Sequence, residues 1–155
     1  MPVVSNSSPL IALTRIHRLD LVPRILDSIL IPPAVAREIR PSIPDVPHWL
    51  QVRAPTKSPS ALASRGRLGD GEWEAMALAI EVGAAAILLD DRPARRLAKK
   101  AGLSVVGTLG LLLEAKKAGL IASLRPELDK LLETSFFLSQ QLYDQVLRTA
   151  GEYEA

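Results

Sequence analysis

AAAILLDD, residues 84–91, decides the fold. Six apolar residues run from Ala84 to Leu89 without a polar alternate, which suits a strand buried on both faces in the middle of a parallel sheet. The run stops at Asp90-Asp91. Residues Pro93 to Ala101 then carry helical spacing, closed by Gly102. On the other side, Gly71 to Val82 predicts a strong helix, capped by Asp70 and terminated by Gly83.

Moving outward, the same alternation repeats. Leu103 to Val106 reads as a strand, and Leu109 to Ala118 as a helix closed by Gly119. Near the start, Pro2 to Ser5 is a short buried strand, after which Ser8 caps a helix whose first residue is Pro9. Helical spacing continues from Leu10 to Leu26 with a break near Arg18-Leu19-Asp20. Ser28 to Ile31 is a second strand, and Pro32-Pro33 opens the short helix AVAREI. Strand-helix alternation of this kind predicts an α/β fold: a central parallel sheet covered on both faces by right-handed crossovers.

Two regions depart from the alternation. Five of the chain's twelve prolines fall between Pro41 and Pro59, which excludes continuous helix or central strand and leaves a surface excursion with WLQV as at most an edge strand. Residues 122–155 form a helical extension, with helices over Pro126–Thr134 and Ser139–Ala150. Their leucines, Leu128, Leu131, Leu132, Leu142 and Leu147, with Val146, cover the sheet or build the seam of a homodimer. The whole of 1–155 is expected to be one domain, a length sufficient for a two-sided core.

Composition narrows the chemistry. Aromatic residues make up 4%, so Leu, Ile, Val and Ala must fill the core. Nineteen cations against seventeen anions leave a formal charge of +2, so a nucleic-acid surface has to come from local placement rather than overall charge. The absence of cysteine removes disulfides, thiolate nucleophiles and sulfur-ligated zinc. There is no basic, apolar leader and no apolar run near the roughly 18 residues that cross a bilayer, so a cytoplasmic protein without membrane attachment is expected.

Acidic residues gather where such a sheet binds ligands, outside the carboxyl ends of its strands. Asn6 ends the first strand, and Asp90-Asp91 end the central one. Glu72 sits at the start of the helix feeding that strand, and Glu38 lies in the helix after the second strand. Each residue alone has a structural use: Glu72 and Glu74 favour a helix N-terminus, Asp90-Asp91 can cap a helix, and Glu38 can lie on a solvated face. Together they form a set of hard oxygen ligands suited to magnesium or manganese, able to activate water for phosphodiester displacement. His17 and His48 have no partner at a recognisable spacing and are assigned no part.

Directly after the acids, Arg92, Arg95, Arg96, Lys99 and Lys100 share one helical face, opposite Ala94, Leu97, Ala98 and Ala101. Such a face attracts phosphate chains, although an amphipathic surface helix also looks like this. Arg65 and Arg67 are further cations on a loop. GTLGLL, residues 107–112, lacks the lysine of a phosphate loop and reads as strand-helix punctuation, with Thr108 able to point its hydroxyl at the site. Trp49 and Trp73 read as packing anchors.

Six blocks carry a resemblance: VVSNSSPLIAL from Val3, PPAVAREI from Pro32, GDGEWEAMALA from Gly69, AILLDDRPARRLA from Ala86, VVGTLGLLLEAKKAGLI from Val105 and LSQQLYDQVLRTAGE from Leu138. In this order and spacing the chain resembles the PIN-like, VapC-related family known as DUF3368. The resemblance implies a three-layer α/β/α fold and magnesium- or manganese-dependent cleavage of RNA, in many members as a toxin paired with an antitoxin. It places the family's acidic positions on Asn6, Glu38, Glu72 and Asp90, with Asp91 and Glu74 as near neighbours. Glu72 and Asp90 stand 18 positions apart, a separation common in PIN proteins. At Asn6 the chain departs from the family pattern, which most often has aspartate there. An amide offers a carbonyl oxygen but no charge; Ser5 and Ser7 flank it with hydroxyls.

Two further readings compete. One is a catalytically inactive PIN-like module that binds RNA or a protein. The other, a receiver-like phosphoacceptor domain, requires a lysine at a later strand end, whereas Lys116 and Lys117 fall inside a helix.

Overall fold

Strands form where the apolar runs are continuous, and all of them run the same way. In a computed structural model describing residues 2–58 and 65–153, five strands make one sheet: β1 (Val3–Ser5), β2 (Ile29–Ile31), β3 (Leu50–Val52), β4 (Ala86–Leu88) and β5 (Val105–Val106). Their order is β3-β2-β1-β4-β5, and each neighbouring pair is parallel. The eight helices of the described residues are α1 (Ser7–Arg15), α2 (Leu21–Leu26), α3 (Pro33–Ile39), α4 (Asp70–Val82), α5 (Arg92–Lys100), α6 (Thr108–Lys117), α7 (Arg125–Leu132) and α8 (Gln140–Thr149). They complete a three-layer α/β/α arrangement of the PIN-like type.

The chain builds outward from β1 through β2 to β3, then crosses back and adds β4 and β5 on the other side. β1 and β4 therefore meet at the point where the winding direction reverses, which opens a crevice beyond their carboxyl ends. Val4, Ile87 and Leu88 in these central strands are fully buried, and α4 packs across both strands.

Several boundaries differ from those expected, for local reasons. The central strand is shorter than Ala84–Leu89 because the Ala84 N–H still bonds to Ala79 O and closes α4. α1 begins at Ser7, not Pro9, and Asn6 rather than Ser8 occupies its cap position. α4 begins at Asp70, with Gly69 at the cap and the Glu72 carboxylate accepting from the Gly69 N–H at 3.1 Å. WLQV does supply the edge strand β3, while Pro59, the last proline of that stretch, lies outside the described residues. Trp49 and Trp73 pack on the core.

Leu128, Leu131, Val146 and Leu147 are buried in the same apolar cluster as the sheet, whereas Leu132 is exposed. Glu152 fastens the end of this extension. It accepts from Lys116 Nζ, Ser123 Oγ and Leu124 N, each at 2.6 Å, and from Arg125 N at 3.1 Å. Burial alone would push its carboxyl up, but these donors outweigh that and hold it at about 2. A depressed carboxyl stabilises the fold above its unfolded value and loses that contribution as pH falls toward 2. Glu152→Gln is accordingly expected to cost about 2 kcal/mol at neutral pH, in the range for hydrogen bonds to a charged group. In urea melts the difference from the wild type should shrink between about pH 4.5 and 2. No helix among the described residues is long and apolar enough to cross a membrane.

Candidate active site

Asn6 leaves β1 with its N–H on Leu88 O at 3.0 Å, so its backbone prolongs the sheet. That fixes its side chain beyond the strand end rather than over the helix, and it makes no cap bond. The side chain is buried, and Asn6 Oδ1 has no hydrogen-bond donor. Such an orphan acceptor is costly unless something else satisfies it.

Glu38 approaches from α3. Ser7 Oγ donates to its Oε2 at 3.2 Å. A methyl group built on Gly71 would collide with Glu38 Oε1 and lie 3.2 Å from Asn6 Oδ1, so the two oxygens converge over the bare backbone of α4. Any larger residue there would displace the Glu38 carboxylate from this position. Glu72, one residue on, is half-buried. Burial pushes its carboxyl above the ordinary value; the Gly69 N–H opposes this, and the charges of Asp91 and Glu38 add to the rise. One carboxyl thus senses acids from two other segments.

Asp90 faces the other half of the crevice. Thr108, itself fully buried, donates its N–H to Asp90 Oδ1 at 2.8 Å and its hydroxyl to Oδ2 at 2.7 Å. Thr108 opens α6, so the carboxylate also sits at a helix N-terminus, where negative charge is favoured. Arg95 turns inward beside it, donating to Leu89 O at 2.9 Å. A methyl group on Gly107 would lie 2.6 Å from Arg95 Nη1 and 2.9 Å from Asp90 Oδ1, so a larger residue there would push both side chains from these positions.

The other candidates separate by role. Asp91 caps α5, accepting from Ala94 N at 3.1 Å, and still contributes charge toward Glu72. Glu74 points away to the start of α3, where its Oε1 accepts from Ala34 N at 3.2 Å; it braces two helices rather than the crevice. Arg92, Arg96, Lys99 and Lys100 form an exposed row on α5, from which Arg95 departs. Arg65 pairs with Asp70, and Arg67 is exposed.

Among the described residues, no three acidic or histidine side chains come close enough to enclose a metal ion. Asp90 is drawn toward Thr108 while Glu38 leans over Gly71, and the position between them belongs to Asn6. The oxygens at Gly71 nonetheless suit a hard cation: one buried carbonyl oxygen without a donor, beside the Glu38 carboxylate. Reading the sequence missed Gly71 and Gly107 as clearances, although both stand beside acidic positions in GDGE and in VVGT. It also missed the clamp of Thr108 on Asp90, which depends on the pairing of β4 with β5.

A family model described as a PIN domain matches residues 2–152. No curated protein and no solved structure matches the chain.

Proposed function

We propose, since the chain belongs to the DUF3368 family of PIN domains, that this nuclease-type module is an endoribonuclease working with magnesium or manganese at the crevice between β1 and β4. The observation that carries the reading is the buried, donorless Asn6 Oδ1 converging with Glu38 over Gly71. Asn6, Glu38, Glu72 and Asp90 would hold the cation. Bound there, it would supply water activation and neutralise charge on the phosphate.

The protein's own groups do the rest. Burial and the charges of Asp91 and Glu38 hold the Glu72 carboxyl above its ordinary value against the Gly69 N–H, and a cation bound beside it would offset that repulsion. Thr108 keeps Asp90 from swinging, and the cations of α5 hold the phosphate chain alongside. A toxin-like role with a cognate antitoxin belongs to this reading through the family pattern, and a homodimer through the leucines of the C-terminal helices. The test is cleavage of RNA by the metal-free protein before and after manganese is restored. Cleavage that is equal in EDTA and in manganese defeats the proposal.

A second reading, an inactive module that binds RNA or protein, is favoured by the uncharged Asn6 and by the hydrogen bonds already on both Asp90 oxygens. Asn6→Asp separates the two. Without metal, the added charge near Glu38 is expected to destabilise the fold by about 1–2 kcal/mol, a like-charge and desolvation cost. Manganese should reverse this loss in a thermal melt. An active wild type is expected to gain about tenfold in metal affinity, whereas a degenerate module acquires cleavage only with the substitution.

A further inference from the structure

A groove of about 1230 Å³ is lined by Asp90 together with residues of α1, α6 and the segment that joins α7 to α8, including Phe136 and Phe137. Its floor is apolar, including Ile11, Val106 and Leu109. Arg15, Arg92 and Arg95 also line it, and Asp90, Asp91 and Glu114 supply its acids, the first two at the proposed catalytic end. A cavity of this size holds more than one nucleotide, since ordinary ligand sites span roughly 300–1,000 Å³.

Phe137 is 84% exposed, in a protein that otherwise buries most large apolar side chains. The residues just before it are nonetheless tied down. Thr134 Oγ1 accepts from Phe136 N at 3.1 Å and donates to Leu131 O at 2.6 Å. Arg15 Nη1 donates to Ser135 Oγ at 2.7 Å, joining the segment to α1. The ring therefore follows a braced turn and lines the same groove as Asp90 and Asp91. Arg92 and Arg95 belong to α5, which carries five cations and no acid, none paired with a carboxylate among the described residues.

We infer that this groove is a base-binding subsite for single-stranded RNA, in which an unpaired base stacks on Phe137 while the neighbouring phosphates follow the cations of α5 toward Asp90. The chemistry favours a nucleic-acid strand over a peptide. A strand supplies flat apolar faces for the ring and a negative charge at every step for the arginines, and single-strand sites combine these two features. A duplex would keep its bases stacked internally and unavailable to Phe137.

The inference rests on the ribonuclease reading, and its test keeps the two apart. In EDTA, fluorescence anisotropy would compare wild type with Phe137→Ala on a labelled single strand, on the same strand carrying abasic sites, and on the duplex. Phe137→Ala is expected to weaken single-strand binding about tenfold, within the range for one lost base stack, and to leave the abasic strand nearly unchanged. Phe137→Trp should hold or strengthen binding. In manganese, Phe137→Ala should raise KM with little change in kcat. Equal affinities of wild type and Phe137→Ala for the base-bearing strand overturn the inference, as does an equal loss on the abasic strand. A shift of Phe137→Ala to a smaller species in sedimentation, without the base-dependent loss, makes the face a protein contact and also overturns it. If the wild type cleaves RNA in any of these cases, only the subsite fails and the ribonuclease reading stands.

Discussion

Asp90→Asn is expected to lower manganese-dependent RNA cleavage by about two orders of magnitude while leaving the fold intact. Removing one unit charge about 4 Å from a cation in a partly screened site costs about 3 kcal/mol, which converts to a factor of roughly a hundred in rate. The fold should tolerate the change because an amide can replace both hydrogen bonds: its oxygen accepts from the Thr108 N–H, and its nitrogen donates to the Thr108 hydroxyl. A matched melting curve with a collapsed initial rate is therefore the expected pair of results. Thr108→Val offers the complementary comparison, since it keeps the charge but frees the Asp90 carboxylate on one side. Unchanged cleavage in Asp90→Asn removes this residue from the site.

The second large effect concerns stability and lies away from the crevice. Glu127 is buried in α7, and Arg18, in the turn between α1 and α2, donates to its Oε1 from Nε at 3.0 Å and from Nη2 at 2.7 Å. The hydrogen bond to Glu127 holds the Arg18 guanidinium above its ordinary value, against the effect of burial. Lys130 is farther off, 3.8 Å from the same oxygen. Glu127 Oε2 has no donor at all. Arg18→Ala thus strands a buried carboxylate, and a loss of about 3 kcal/mol is expected, the lower end for breaking a buried pair because Arg18 is partly exposed. For a chain of this length that corresponds to a melting temperature lower by about 10 °C. Adding Glu127→Leu to Arg18→Ala should recover most of the loss, since the stranded charge goes with it. If the double variant is as unstable as the single one, packing by the arginine stem, not charge, was responsible.

The tail and the N-terminal turn are joined by this pair, and neither partner stood out in the sequence. Arg18 reads there as part of a break between helices, and Glu127 only as one residue of the helix expected over Pro126–Thr134. Their meeting joins positions 109 apart in the chain. The same holds for Arg15 and Ser135, 120 positions apart, which brace the segment bearing Phe137. By contrast, the shorter-range features were legible. AAAILLDD marked a central strand, proline crowding marked the excursion before α4, and the glycines at 83, 102 and 119 closed helices with positive φ as their positions required.

The site lay between these extremes. Topology was enough to send Asn6, Glu38, Glu72 and Asp90 to one edge of the sheet. It was not enough to say which of them would face each other, or that Glu74 would turn to α3 and Arg95 out of its row. Read without neighbours, Gly71 and Gly107 are punctuation; placed in the fold, they are the two gaps through which Glu38 and Arg95 reach the crevice.

What the sequence by itself determined was the alternation of buried strands and covering helices, and the end of the sheet at which its acids gather, because both follow from local apolar runs and from the direction of the chain. Tertiary structure alone decided that Asp90 is clamped by Thr108, that Asn6 Oδ1 is left without a donor, and that two phenylalanines line the same groove as Asp90. Those outcomes depend on strand order and on side-chain clearances of a few tenths of an ångström, quantities set by packing between residues far apart in the chain.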